Sequence, residues 1–194
     1  MNKNRLEAFS DGVLAIIITV MVLELKRPER PEFAAFAHLA PVFLSYILSF
    51  LYVGIYWNNH HHLLHAAHRV NGRILWANLH LLFWLSLFPF ATAWMGENHA
   101  STAPTAAYGF VLFMAAIAYY ILQSAIIGEE GRTSLLGRAV GPDWKGKLSP
   151  FVYIAAVGAA FVMPWISIAL YGFIALIWLV PDPRIERALA ADER

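Results

Sequence analysis

The sequence predicts an all-α membrane protein, one domain of six transmembrane helices. Three observations carry that expectation: composition, the spacing of apolar runs, and the placement of Lys and Arg. Of 194 residues, 59% are hydrophobic and only 14% charged. A soluble domain carries about a quarter charged residues, so this chain has too little polar surface to cover itself in water. A spanning helix needs about 20 mostly apolar residues, and the sequence supplies such runs in series.

The first helix is expected over 9–25, closed by Lys26, Arg27 and Pro28. Lys3 and Arg5 ahead of an apolar run resemble a signal peptide, but Glu7 and Asp11 interrupt the charged region and no small-x-small cleavage site precedes Lys26, so the helix is read as retained. The second covers about 40–57, with Pro41 tolerated in its first turn. The third, 74–95, contains Pro89, whose missing N–H predicts a kink. The fourth, 105–127, starts after Pro104 and ends at Gly128-Glu129-Glu130. The remaining apolar tract, 148–180, is too long for one helix and slightly short for two. Pro164-Trp165 at its middle splits it into 150–163 and 165–179, a single kinked helix being the alternative. Pro181-Asp182-Pro183 stops the last helix before a charged tail, and the polar stretch 129–147 reads as a cytoplasmic connection.

Orientation follows from the basic residues. With six spans and both termini in the cytoplasm, eleven of the fourteen Lys and Arg residues fall inside, leaving Lys26, Arg27 and Arg30 outside. Five spans would move the tail outside and nearly equalise the two sides.

Composition also excludes. Without cysteine there is no disulfide and no thiolate metal site or nucleophile. A net charge of +1 with no clustered basic face excludes a nucleic-acid partner. No Gly-rich phosphate loop, Ser/His/Asp set or paired carboxylates occur, so no enzyme is expected. The tryptophans Trp57, Trp76, Trp94, Trp144 and Trp178 sit near predicted helix ends, as an interfacial belt does.

Three polar features need a reason. Ser10 and Asp11 sit on the first helix at the membrane edge, where an ionisable group has a partner and a job. Arg5 is near enough along the helix to share their network, and Asn78, about one turn inside the cytoplasmic edge, matches Asp11 in depth. Second, Ile16, Val20 and Leu23 form one stripe on that helix, with Thr19 beside them. Such a stripe ordinarily faces lipid or a neighbouring helix, but hydrophobic rings in a pore gate by dewetting. Third, His60, His61, His62, His65 and His68 cluster after Trp57. If helical, His61, His65 and His68 share a face at spacings that suit a metal or haem. Against that, no Asp or Glu occurs from 33 to 96, and an interfacial segment that partners Asp11 explains the cluster without metal. Asn78, His80, Gln123 and Ser124 suit interhelical hydrogen bonding.

These residues carry a resemblance. Arg5-x-x-x-Phe9-Ser10-Asp11, followed by Gly12-Val13-Leu14-Ala15-Ile16-Ile17-Ile18-Thr19, resembles the signature opening the first helix of the prokaryotic TMEM175-type potassium channels. Trp57-x-x-His60-His61 and the region 78–89 are similar to that family too, and the likeness covers most of the chain, least specifically from the fourth helix onward. The resemblance implies a multi-pass protein of the cell membrane with both termini cytoplasmic, assembled as a homotetramer around a pore lined by the first helix. It implies a channel permeable to potassium and other monovalent cations, modestly selective, with no cofactor. In place of a carbonyl filter, Ile16 would form the bottleneck, Thr19 would bear on selectivity, and Val20 and Leu23 would form the next rings. Val20 is smaller than the leucine often found there, which leaves Ile16 as the constriction. Arg5, Phe9, Ser10 and Asp11 would be structural, tying the first helix to Trp57, His60, His61 and Asn78. The readings of another class are a histidine-dependent metal- or haem-binding membrane protein and a proton-coupled carrier using Asp11 and histidines.

Overall fold

The computed structural model describes residues 2–28, 37–131 and 144–179. Among these it is all-helical, with seven helices: α1 Lys3–Leu23, α2 Ala40–His65, α3 Gly72–Ser86, α4 Phe88–Glu97, α5 Thr102–Glu130, α6 Trp144–Ala160 and α7 Pro164–Leu179. Helices α3 and α4 make up one span of 26 residues, and α1, α2, this span and α5 are each long and apolar enough to cross a membrane. The 17 residues of α6 and 16 of α7 each reach only about 25 Å, against a hydrocarbon core of about 30 Å. They form a hairpin that turns at Phe161–Met163, with Met163 N–H bonded to Ala159 C=O at 2.8 Å and Pro164 opening α7.

Most helices run past the expected limits, because hydropathy marks lipid depth whereas the helical ladder continues until something caps it. Helix α1 begins at Lys3 instead of position 9, where Asn2 Oδ1 accepts from Asn4 N–H at 3.1 Å. Helix α2 continues beyond 57 by two turns to His65, and α5 runs three residues further at each end than 105–127. Helix α6 starts at Trp144, so Pro150 lies inside it instead of opening it. One turn earlier the Lys145 C=O accepts from the Ser149 hydroxyl at 2.8 Å. The third span breaks at Leu87 rather than bending smoothly, because Pro89 cannot donate to Leu85 C=O. Asn71 caps α3 by accepting from Ile74 N–H at 3.0 Å. The connection expected over 129–147 is outside the described residues except at its ends, as is the charged tail.

Helix α1 packs on α2, α3 and α4, while α6 and α7 pack on α5, with α7 reaching α2. The core between α2, α4, α5, α6 and α7 is rich in buried tyrosine. Tyr108 OH lies 3.0 Å from Ser49 Oγ, to which Thr92 Oγ1 donates at 2.7 Å. Tyr52 donates to Tyr171 C=O at 2.7 Å, and Tyr171 donates to Thr105 C=O at 3.1 Å. Such bonds satisfy hydroxyls that lipid could not. Gly109 makes room for this layer: a Cβ there would overlap the Tyr171 hydroxyl.

Candidate functional site

Two faces of α1 have opposite fates. Leu6, Ser10, Leu14, Ile17 and Met21 recur at i, i+4, i+8, i+11 and i+15, the spacing of a single helix face, and all are buried against the bundle. Apart from Lys3, Glu7, Val13 and Ile18, which are half-buried, the rest of the helix is exposed. Ile16 is 63% exposed and Leu23 75%, with Thr19 and Val20 also exposed between them. The stripe seen in the sequence is therefore the side of α1 that its own bundle leaves open. Ile16 and Val20 face an open groove of about 630 Å³ whose other wall is Ser86, Pro89, Phe90 and Trp94 from the broken span.

Thr19 has a defined polarity. Its hydroxyl donates to Ala15 C=O at 2.9 Å, so the atom it presents outward is an oxygen with free lone pairs.

Helix α1 is fixed in its N-terminal half by a buried chain of polar groups. Ser10, fully buried, donates to Leu6 C=O at 2.8 Å and accepts from Asn78 Nδ2 at 2.9 Å. Asn78 Oδ1 lies 2.7 Å from Nε2 of buried His60. One helical step away, Asp11 Oδ1 accepts from Trp57 Nε1 at 3.1 Å. Of the residues expected in this network, Ser10, Asp11, Trp57, His60 and Asn78 are thus brought together, in two separate sets. The partner of Asp11 is an indole, not an imidazole, and Asn78 reaches Ser10, not Asp11. His61 stacks on Trp57, with ring centroids 6.2 Å apart, and on His65, at 6.1 Å. Arg5 and Phe9 are exposed on α1's open side, and the Arg5 side chain bonds to nothing among the described residues.

His68 stands apart from His61 and His65. Helix α2 stops at His65, and His68 beyond it turns to Glu130, its Nδ1 3.0 Å from the carboxylate. Among the described residues, no three His, Asp or Glu side chains come together as a metal ion requires.

Other anchors carry no motif. Lys3 donates to His65 C=O at 2.9 Å, and Glu130 accepts from His68 N–H at 2.7 Å and Arg69 N–H at 3.3 Å, which clamps the α2–α3 connection to the end of α5. Thr92 Oγ1 lies 4.0 Å from Met21 Sδ on the far half of α1. Lys26 pairs with Glu97 at 2.5 Å, and this carboxylate holds the exposed ammonium above the usual lysine range. The sequence signal for these was only polarity at helix ends.

Residues 5–89, the stretch that holds α1, the buried polar chain and the break, match the family model described as endosomal/lysosomal potassium channel TMEM175. A potassium channel of Chryseobacterium sp. is 56% identical over 189 residues, covering 97% of this chain and 98% of the relative. One of Streptomyces collinus is 32% identical over 207 residues, with the same coverage of both chains. The human endosomal/lysosomal proton channel TMEM175 is 35% identical over 96 residues, 43% of this chain and 19% of that one. The crystal structure of a lysosomal potassium-selective channel TMEM175 homolog from Chamaesiphon minutus superposes with a TM-score of 0.79 at 25% identity, covering 91% of this chain and 95% of that one. With likeness of this extent running nearly end to end, the chain belongs to the TMEM175 family.

Proposed function

We propose that this chain is the subunit of a potassium-permeable, modestly selective cation channel of the cell membrane. It would act as a homotetramer with both termini in the cytoplasm. The observation that carries the reading is the open face of α1. A helix with one face locked to its bundle and an unpartnered line of Ile16, Thr19, Val20 and Leu23 opposite is what a symmetric assembly would close into a pore. The names of the two full-length bacterial relatives point the same way.

In this reading the Ile16 side chains form the narrowest ring, apolar enough to exclude water when tight. One turn outward, Thr19 offers an oxygen whose hydrogen is already committed to Ala15, the polarity a cation needs. Selection then acts on ions that keep part of their hydration, and modest discrimination between potassium and sodium is the expected result. Ser10, Asn78 and His60 serve to hold α1 in register.

The test is potassium flux into liposomes holding the purified protein, with sodium in parallel and Ile16→Asn beside the wild type. Potassium flux above sodium flux in the wild type, with faster and less selective flux in Ile16→Asn, is the expected outcome. Wild-type flux unaltered by the substitution removes Ile16 from the conduction path, and absence of flux from intact oligomers overturns the channel reading itself.

A further inference from the structure

A second cavity lies away from α1, between α2, α5, α6 and α7, with a volume of about 40 Å³. Tyr52, Tyr56, Tyr119, Tyr153 and Trp178 supply much of its wall. Tyr52 and Ser149, which also line it, have their hydroxyls committed. Tyr52 donates to Tyr171 C=O and accepts from Tyr153 at 3.3 Å, while Ser149 donates to Lys145 C=O and accepts from Trp178 Nε1 at 2.8 Å. Tyr56 and Gln123 differ. Tyr56 is 8% exposed and Gln123 6%, and both line this cavity, yet among the described residues neither the phenol nor the amide has a hydrogen-bond partner. Polar groups shielded from bulk water are costly to leave unpaired, so two of them facing one space are placed to bind a polar ligand.

The lining states the occupant's chemistry. Among the described residues no charged side chain lines the cavity, which fits a neutral ligand. A phenol and a primary amide together can both donate and accept, which suits a hydroxyl. Size limits what enters: a cavity of about 150 Å³ holds benzene, so this one takes a hydroxyl with one or two carbons. Tyr120, 58% exposed, stands at the rim on a part of α5 where the next residue, Ile121, is also exposed, so the way out opens on the apolar surface of a spanning helix. We propose that this cavity binds the hydroxyl head of a neutral amphiphile, a lipid-like alcohol whose chain stays in the bilayer, through Tyr56 and Gln123.

The test uses octanol bearing a diazirine on its chain, photolysed with the whole protein in liposomes, with adducts located by mass spectrometry. Saturable labelling of peptides lining the cavity, competed by plain octanol, is expected in the wild type. Affinity should fall about three- to tenfold in Gln123→Leu and in Tyr56→Phe, the loss of one hydrogen bond each. Tyr56→Phe removes only an oxygen that has no partner among the described residues, so it preserves the fold even if Gln123→Leu does not, and elution as the wild-type oligomer verifies this. Labelling that never saturates, or saturates with unchanged affinity in Tyr56→Phe, overturns the proposal and leaves the cavity to about three ordered waters. The readout needs no current, so it stands or falls apart from conduction.

Discussion

Asn78→Leu separates the buried polar chain into its energetic parts. The substitution is close to isosteric and removes two hydrogen bonds, one to Ser10 at 2.9 Å and one to His60 at 2.7 Å. The two losses are unequal. Ser10 keeps its bond to Leu6 C=O at 2.8 Å and merely loses an incoming donor, worth about 0.6 kcal/mol between membrane helices. His60 is 3% exposed, and its Nε2 is left without a partner, at a cost of about 1–3 kcal/mol. The sum is a destabilisation of roughly 1.5–3.5 kcal/mol, most of it from the stranded imidazole. The decisive comparison adds His60→Leu to Asn78→Leu, since replacing both partners by apolar groups removes the stranded polar atom. The double variant should be about 1 kcal/mol more stable than Asn78→Leu alone. Reversible unfolding of the purified protein by titration with sodium dodecyl sulfate, followed by helicity, measures all four corners of the cycle. If Asn78→Leu unfolds with the wild type, or if the two single effects simply add, the reasoning from stranded groups is refuted.

Three other substitutions give sharp expectations. Gly109→Ala places a Cβ on the Tyr171 hydroxyl and 2.9 Å from Val157 Cγ2, and should cost about 1–3 kcal/mol in the same titration. Gly128→Ala, on the same helix with nothing within 4 Å of the added carbon, should instead stabilise by about 0.5–1 kcal/mol. Glu130→Ala removes the acceptor for the His68 and Arg69 amides, and hydrogen exchange at those two amides should accelerate about tenfold while the helix interiors keep their protection.

What could be read in the sequence follows from what hydropathy and spacing encode. Depth in the bilayer is encoded residue by residue, so the spans, the Pro164 turn and the common level of Ser10, Asp11 and Asn78 were legible. Rotation about a helix axis is not encoded that way. One residue turns the side chain by about 100°, and this is the difference between Asn78 meeting Asp11 and meeting Ser10. Trp57 was within the expected set, but spacing alone did not single it out from the histidines as the partner of Asp11. Helix ends were misread where capping outlasts apolarity, at Asn2 and at His65. The tyrosine layer was invisible because a tyrosine suits a membrane interface and a bundle interior equally, and only the packing of α7 on α2 and α5 decides for the interior.

The break at Leu87 leaves α1 attached to two separate pieces. Its N-terminal half is bonded to α3 through Ser10 and Asn78, and its C-terminal half rests on α4 through Met21 and Thr92. Between these attachments, at the level of Ile16, the facing wall is the break itself, formed by Ser86 and Pro89. Helix α1 is therefore a beam on two supports with Ile16 at mid-span. It cannot change its tilt unless the angle between α3 and α4 changes with it or one support gives way, so the position of Ile16 and the bend at Leu87 form a single mechanical variable, and in the proposed channel that variable would set the width of the Ile16 ring.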